Sequence, residues 1–294
     1  MDHQESFLKY LKYEKRFSSH TLVAYQNDLG QFAQFCSVMA GEFSVKAINP
    51  KIIRDWVIFL MENGHSPRTV NRKVSAVKSF FKYLMKEEVV ENNPVLNIPM
   101  PKVRKKLPCF VEEDNLHHLL DDGFFGHDFK GVRDKLIIAL LYGTGIRLSE
   151  LLSLKEDDID RKEYLIKVLG KRNKERIIPY PRSLNSLFDE YLGFRDELFG
   201  KGHPFLFLTG KGEKIYEKLV YRVVKNNLAK VTSLEKKSPH VLRHTYATHL
   251  LNKGADLNAV KELLGHANLA ATQIYTHTTF EKLQNVYKQT HPRG

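Results

Sequence analysis

Apolar residues return at helical spacing through the first ninety positions, and each stripe starts after a recognisable cap. The first, over about 2–14, sets Phe7, Leu8 and Leu11 on one face. Ser18 or Ser19 caps a second helix carrying Leu22, Tyr25, Leu29, Phe32 and Phe35. Asn49-Pro50 opens a third, with Ile53, Trp56, Val57 and Leu60 together, and Ser66-Pro67 a fourth, with Val70, Val74, Val77, Phe81 and Leu84. In both, a short polar side chain accepts a free amide, and proline takes the position where a missing N–H costs nothing. The other face of the fourth helix is expected to hold Arg68, Arg72, Lys73 and Lys78, a basic surface either solvated or turned to a polyanion.

The pattern breaks at 92–108, where four prolines exclude a continuous helix or central strand. This stretch reads as an extended linker, and Lys102, Arg104, Lys105 and Lys106 make it basic. Residues 1–91 are therefore expected to form one helical domain and 109–294 a second. In the second, helices are predicted near 111–121 and 130–142, followed by a Gly143/Gly145 break and a helix through Arg147, Leu148, Leu151 and Leu152. Residues 163–168 and 176–180 read as a β-hairpin turning through Gly170 and Asn173. Further helices are predicted near 183–198, 214–230, 239–252, 256–264 and 268–276. The fold class is mainly α, with one small β-sheet in the larger domain.

Composition sharpens this picture. With 46 Lys and Arg against 34 acids the chain carries +12, a surplus that suits nucleic acid, although solubility alone also accounts for a basic surface. Residues 1–108 hold 17 basic and 10 acidic side chains, leaving 29 and 24 for the remainder, so both parts are positive. That distribution fits a clamp better than a basic tail on a neutral body. Two distant cysteines, Cys36 and Cys109, imply no disulfide framework and a reducing cytoplasm. The amino terminus shows no apolar signal core, and the longest apolar run, Leu136–Tyr142, is too short to span a bilayer.

Candidate chemistry gathers towards the carboxyl end. Ser238-Pro239 starts a helix whose first turn places His240 and Arg243 on neighbouring positions, with Leu242, Tyr246 and Leu250 on the packing side. A helix amino terminus already favours a phosphate. His240 and His244 also have the spacing of two metal ligands, but Val241 stands where a zinc hydrolase needs glutamate. Gly265 reads as a helix end that sets His266 at a junction. Lys171 sits at the hairpin tip, either solvated or reaching into a cleft as a proton donor. Arg147 follows a glycine-punctuated turn, where it either meets substrate or pairs with Glu150. Tyr275 is either half-buried packing or, beside arginines that stabilise phenolate, a nucleophile. One phenol, two guanidiniums, two imidazoles and an ammonium suffice to break a phosphodiester without a metal.

T-G-I-R-L-S-E-L, G-K-R-N-K-E-R, H-V-L-R-H-T-Y-A-T-H-L-L and L-L-G-H-A-N-L-A-A-T-Q-I-Y-T-H resemble, in order and spacing, the tyrosine recombinases (the phage integrase family), most closely the short Xer-type members. The S-P-R-T-V-N-R-K-V-S-A-V-K-S-F-F-K-Y-L segment is similar to the family's helical, SAM-like core-binding domain. The resemblance implies a C-shaped clamp on double-stranded DNA and strand exchange through a 3′-phosphotyrosine. In it Arg147 and Arg243 bind the scissile phosphate, Lys171 protonates the 5′ oxygen, and His240 assists proton transfer. His266 bonds the phosphate and Tyr275 attacks. It further implies no cofactor or metal, no membrane insertion, a homo- or hetero-tetrameric synapse and a cell-division DNA translocase as partner. The tail, with Phe280, Leu283 and Val286 on one side, would dock on a neighbouring protomer. Ala270 and Ala271 depart from the small hydroxyl residues expected before T-Q-I-Y. A start directly in the core-binding domain favours chromosome-dimer resolution over arm-dependent integration. The rival readings are an integrase of a mobile element, a type IB topoisomerase and a non-catalytic DNA-binding relative.

Overall fold

A computed structural model describes residues 3–40, 43–103, 109–121, 123–170 and 175–265. The chain divides into two compact units, 1–106 and 107–294.

The first unit is built from α1 (His3–Tyr13), α2 (Ser19–Ala40), α3 (Pro50–Glu62) and α4 (Pro67–Lys86). The expected caps operate. Asn49 Oδ1 accepts the amides of Lys51 and Ile52 at 3.0 and 3.1 Å, and Ser66 Oγ accepts that of Thr69 at 3.2 Å. Phe7, Phe32, Trp56, Phe80 and Phe81 are fully buried, and each such ring contributes about 1.5–3 kcal/mol. Two points differ from the pattern. Residues 92–98 do more than connect: Val95 and Ile98 enter the core, and Asn93 bonds the carbonyl of Lys78 and the amide of Val95. Lys73, moreover, is not on the basic face; it is buried, with Nζ 3.1 Å from Asp28, itself buried. Spaced three and seven from Val70, positions 73 and 77 fall on the inward stripe, so the ammonium needs a carboxylate inside.

The second unit contains α5 (Glu113–Asp121), α6 (Phe129–Thr144), α7 (Leu148–Ser153), α8 (Leu184–Phe199), α9 (Glu217–Leu228), α10 (Pro239–Asn252) and α11 (Leu257–Leu264). Its antiparallel sheet runs β1 (Ile159–Asp160), β2 (Leu165–Leu169), β3 (Glu175–Pro179). From Phe129 to Thr144 nearly every residue of α6 is buried, making it the central helix, with α8 and α10 packed on it. The predicted hairpin is present, with Ile166 and Val168 inward on β2 and Arg176 and Ile178 inward on β3. The two-residue β1 and the 3-10 turn at 156–158 were too short for any periodicity to reveal. No helix among the described residues is long and apolar enough to cross a membrane.

Candidate active site

Three helix ends meet where the T-G-I-R turn, the start of α10 and the end of α11 come together. Gly145 closes α6 in the left-handed conformation, φ +59°, and its amide bonds the carbonyl of Leu141. Only glycine fits: a Cβ there would lie 2.5 Å from the ring of Tyr246 and 3.0 Å from Leu264. Thr144 tightens the turn, its hydroxyl donating to Leu140 and accepting the amide of Ile146. Ile146 is buried, so the chain leaves the turn with Arg147 at the cap of α7 and its side chain about 29 % exposed.

Arg147 is anchored three times. Its backbone amide donates to Glu150 Oε2 at 2.8 Å, Nη1 donates to Glu150 Oε1 at 2.9 Å, and Nη2 donates to the carbonyl of Gly265. The ion pair with Glu150, open as an alternative in the sequence, is thus present together with the approach to α11. Arg243 lies on the first turn of α10, above the buried stripe of Leu242, Tyr246 and Leu250. Its two terminal nitrogens donate to the carbonyls of Gly145 and Leu264. The two guanidiniums therefore hold consecutive carbonyls, Leu264 and Gly265, at the carboxyl end of α11. That end is the negative pole of the helix, a favourable seat for cations. His240 is exposed at the start of α10, three positions before Arg243. Ser238 occupies the cap position without a side-chain capping bond.

A third guanidinium completes the group. Arg176, inward on β3, grips Glu150 with both terminal nitrogens, Nη2 at 2.9 Å from Oε2. Glu150 feels burial first, which raises its pKa. The hydrogen bonds and charges of Arg176 and Arg147 outweigh that and leave it below the ordinary carboxylate value. Arg243 goes the other way: burial, then repulsion from Arg147 and Arg176, brings its pKa down to about 10. It stays protonated at neutral pH, yet in a site with more positive charge than its one carboxylate neutralises. Such a site suits an anion, and a planar fork suits phosphate oxygens.

Of the six residues proposed from sequence, Arg147, His240 and Arg243 are described, and the two arginines are brought together. Lys171, His266 and Tyr275 lie outside the described residues, as do the predicted helix at 268–276, Ala270, Ala271 and the tail with Phe280, Leu283 and Val286. Leu169 and Glu175 pair at the end of the β2–β3 hairpin. Sequence reasoning missed Arg176. Its signal was available, since in E-R-I-I-P it shares the parity of inward Ile178.

Residues 110–282 match the phage integrase family, and residues 5–88 its N-terminal SAM-like domain. A tyrosine recombinase XerC of Chlorobaculum tepidum is 36% identical, the match covering 98% of this chain and 94% of that one. One from Staphylococcus saprophyticus is 39% identical, over 99% and 97%. Among solved structures, XerH site-specific recombinase bound to difH substrate, a pre-cleavage complex, superimposes with a TM-score of 0.70 at 27% identity. That alignment covers 96% of this chain and 82% of the other.

Proposed function

The chain belongs to the phage integrase family of tyrosine recombinases, and from that premise we propose how its residues divide the labour of cutting and rejoining DNA. Arg147 and Arg243 hold the scissile phosphate and neutralise the charge that grows on its non-bridging oxygens. The hydroxyl of Tyr275 attacks phosphorus, with His240 taking up its proton. The bond from phosphorus to the 5′ oxygen breaks, and Lys171 delivers a proton to that oxygen. His266 bonds a phosphate oxygen. The product is a 3′-phosphotyrosine and a free 5′-hydroxyl, and reversal with a second 5′-hydroxyl rejoins the strand. The phosphodiester's energy is conserved in the covalent bond, so the chemistry asks for no ATP.

The observation that carries this reading is the convergence of Arg147 and Arg243 on the adjacent carbonyls of Gly265 and Leu264. Two guanidiniums from positions almost a hundred residues apart are presented together, beside an exposed imidazole on the same helix turn. A DNA-binding module has no use for that pairing.

The chain is a site-specific recombinase of the Xer type. The substrate we assign is a double-stranded DNA site, the working state a tetramer of this chain alone or with a related recombinase, and the setting the cytoplasm. The biological task is resolution of chromosome dimers at cell division, with a DNA translocase as the activating partner. Full-length similarity to the XerC proteins supports that assignment over a mobile-element role. The deciding experiment is a nicked suicide substrate carrying a candidate site. Wild type is expected to form a covalent adduct that maps to Tyr275, and Tyr275→Phe none. An adduct on another residue, or none on wild type, rejects the reading.

A further inference from the structure

Glu150 has no freedom left. It is buried, and each carboxylate oxygen receives two donors. Oε1 takes Nη1 of Arg147 at 2.9 Å and Nη1 of Arg176, while Oε2 takes the Arg147 amide at 2.8 Å and Nη2 of Arg176 at 2.9 Å. Arg147 supplies one donor to each oxygen, its amide to Oε2 and Nη1 to Oε1. The bidentate fork of Arg176 adds a second donor to each and holds the carboxylate in one plane, as a lysine's point charge would not.

Arg176 is itself well placed to serve as a fixed point. It lies within the β2–β3 pairing, opposite Val168, with its side chain 6 % exposed. It also borders the other support of Arg147: a Cβ on Gly265 would stand 3.1 Å from Arg176 Cδ and Nε and 3.3 Å from Arg147 Nη1. Arg176 thus bonds one group that orients Arg147, the Glu150 carboxylate, and lies alongside the other, Gly265.

Resting on the role of Arg147 proposed above, we infer that Arg176 is a positioning residue for the recombination reaction: through Glu150 it sets the Arg147 guanidinium in the geometry that meets the scissile phosphate. It does not touch DNA. Both of its terminal nitrogens are spent on Glu150, and it is too buried to reach a backbone phosphate.

The test is single-turnover cleavage of the nicked substrate by the full chain, as a double-mutant cycle. Arg176→Met keeps the length of the side chain and leaves Glu150 paired with Arg147. Displacement of a positioned group by about an ångström costs about 10²-fold in rate, so a loss of about that size is expected, with DNA affinity within about threefold of wild type. In an Arg147→Ala background the same substitution should add less than about threefold, because the group it positions is gone. Losses that multiply in full, or a fall in affinity equal to the fall in rate, overturn the inference. Should Arg176→Met not fold, Arg176→Lys keeps the charge without the fork and is expected to show the same coupling; a wild-type rate in that variant would overturn it too. The wild-type adduct separates the two readings: without it both fall, whereas an adduct with independent losses removes only the role of Arg176.

Discussion

Asp28 is the residue on which the first unit's inner electrostatics depend. Buried, it faces the buried ammonium of Lys73 and the partly exposed guanidinium of Arg72. Asp28→Ala strands a positive charge in an aromatic core, a change that typically costs about 3–5 kcal/mol. Asp28→Leu with Lys73→Met removes both charges and should recover most of that loss. Trp56, the chain's one tryptophan, lies in the same core and reports both variants by fluorescence during urea unfolding. Lys73 also marks where single residues were hard to read. A lysine amid polar neighbours looks solvated, and only its three-residue step from Val70 hinted otherwise. Arg176 and Glu150, 26 positions apart, could not be paired from sequence, because nothing in the spacing encodes a contact across a hairpin and a helix.

Elements were far more legible, and for a physical reason: along α3 and α4 the apolar stripe and the cap agree, and at the end of α6 the breaker does. Asn49 and Ser66 cap as their chemistry requires, and Gly145 ends α6 where the T-G-I-R motif demanded a break. The shortest pieces escaped, since two residues of β1 carry no period. The turn at Gly145 is where element geometry meets chemistry. Gly145→Ala combines a left-handed backbone with a 2.5 Å approach to Tyr246, and should destabilise the second unit by more than about 2 kcal/mol. Cleavage should fall with it, as the turn aims Arg147; melting curves and adduct formation give the two readouts. The far end of α10 offers a pH handle. His249 is buried, with Nδ1 3.0 Å from the hydroxyl of Tyr142. Burial lowers its pKa below 6.5, against an opposing pull from Glu113 and Glu112. The unfolded chain therefore binds this proton more readily than the folded one, so the stability it gives is present above 6.5 and lost as pH falls through the lower folded value. Thermal melts from pH 7 to 5 should slope more steeply for wild type than for His249→Gln.

At the scale of the whole molecule, the positive surplus is shared: +12 overall, with basic excess in both the first 108 residues and the remainder. A duplex contacted through six to ten phosphates loses roughly 10³–10⁵ in affinity between about 50 and 200 mM salt, and binding of the target site should show a slope in that range. Titrations at four or five salt concentrations measure it; a slope near zero would mean that the charge serves solubility alone. The tail at 280–294, proposed to dock on a neighbouring protomer, predicts that its removal leaves single-site binding but abolishes cooperative assembly. Gel-shift titration on a two-site duplex distinguishes the outcomes.

Two guanidiniums, Arg147 and Arg176, share the Glu150 carboxylate, and beside them burial, then their repulsion, softens the hold of Arg243 on its proton. On the roles proposed above, a phosphodiester meeting Arg147 and Arg243 would offset that repulsion, the more so as negative charge grows on its oxygens. The same crowding would then favour the crest of the reaction over either shore.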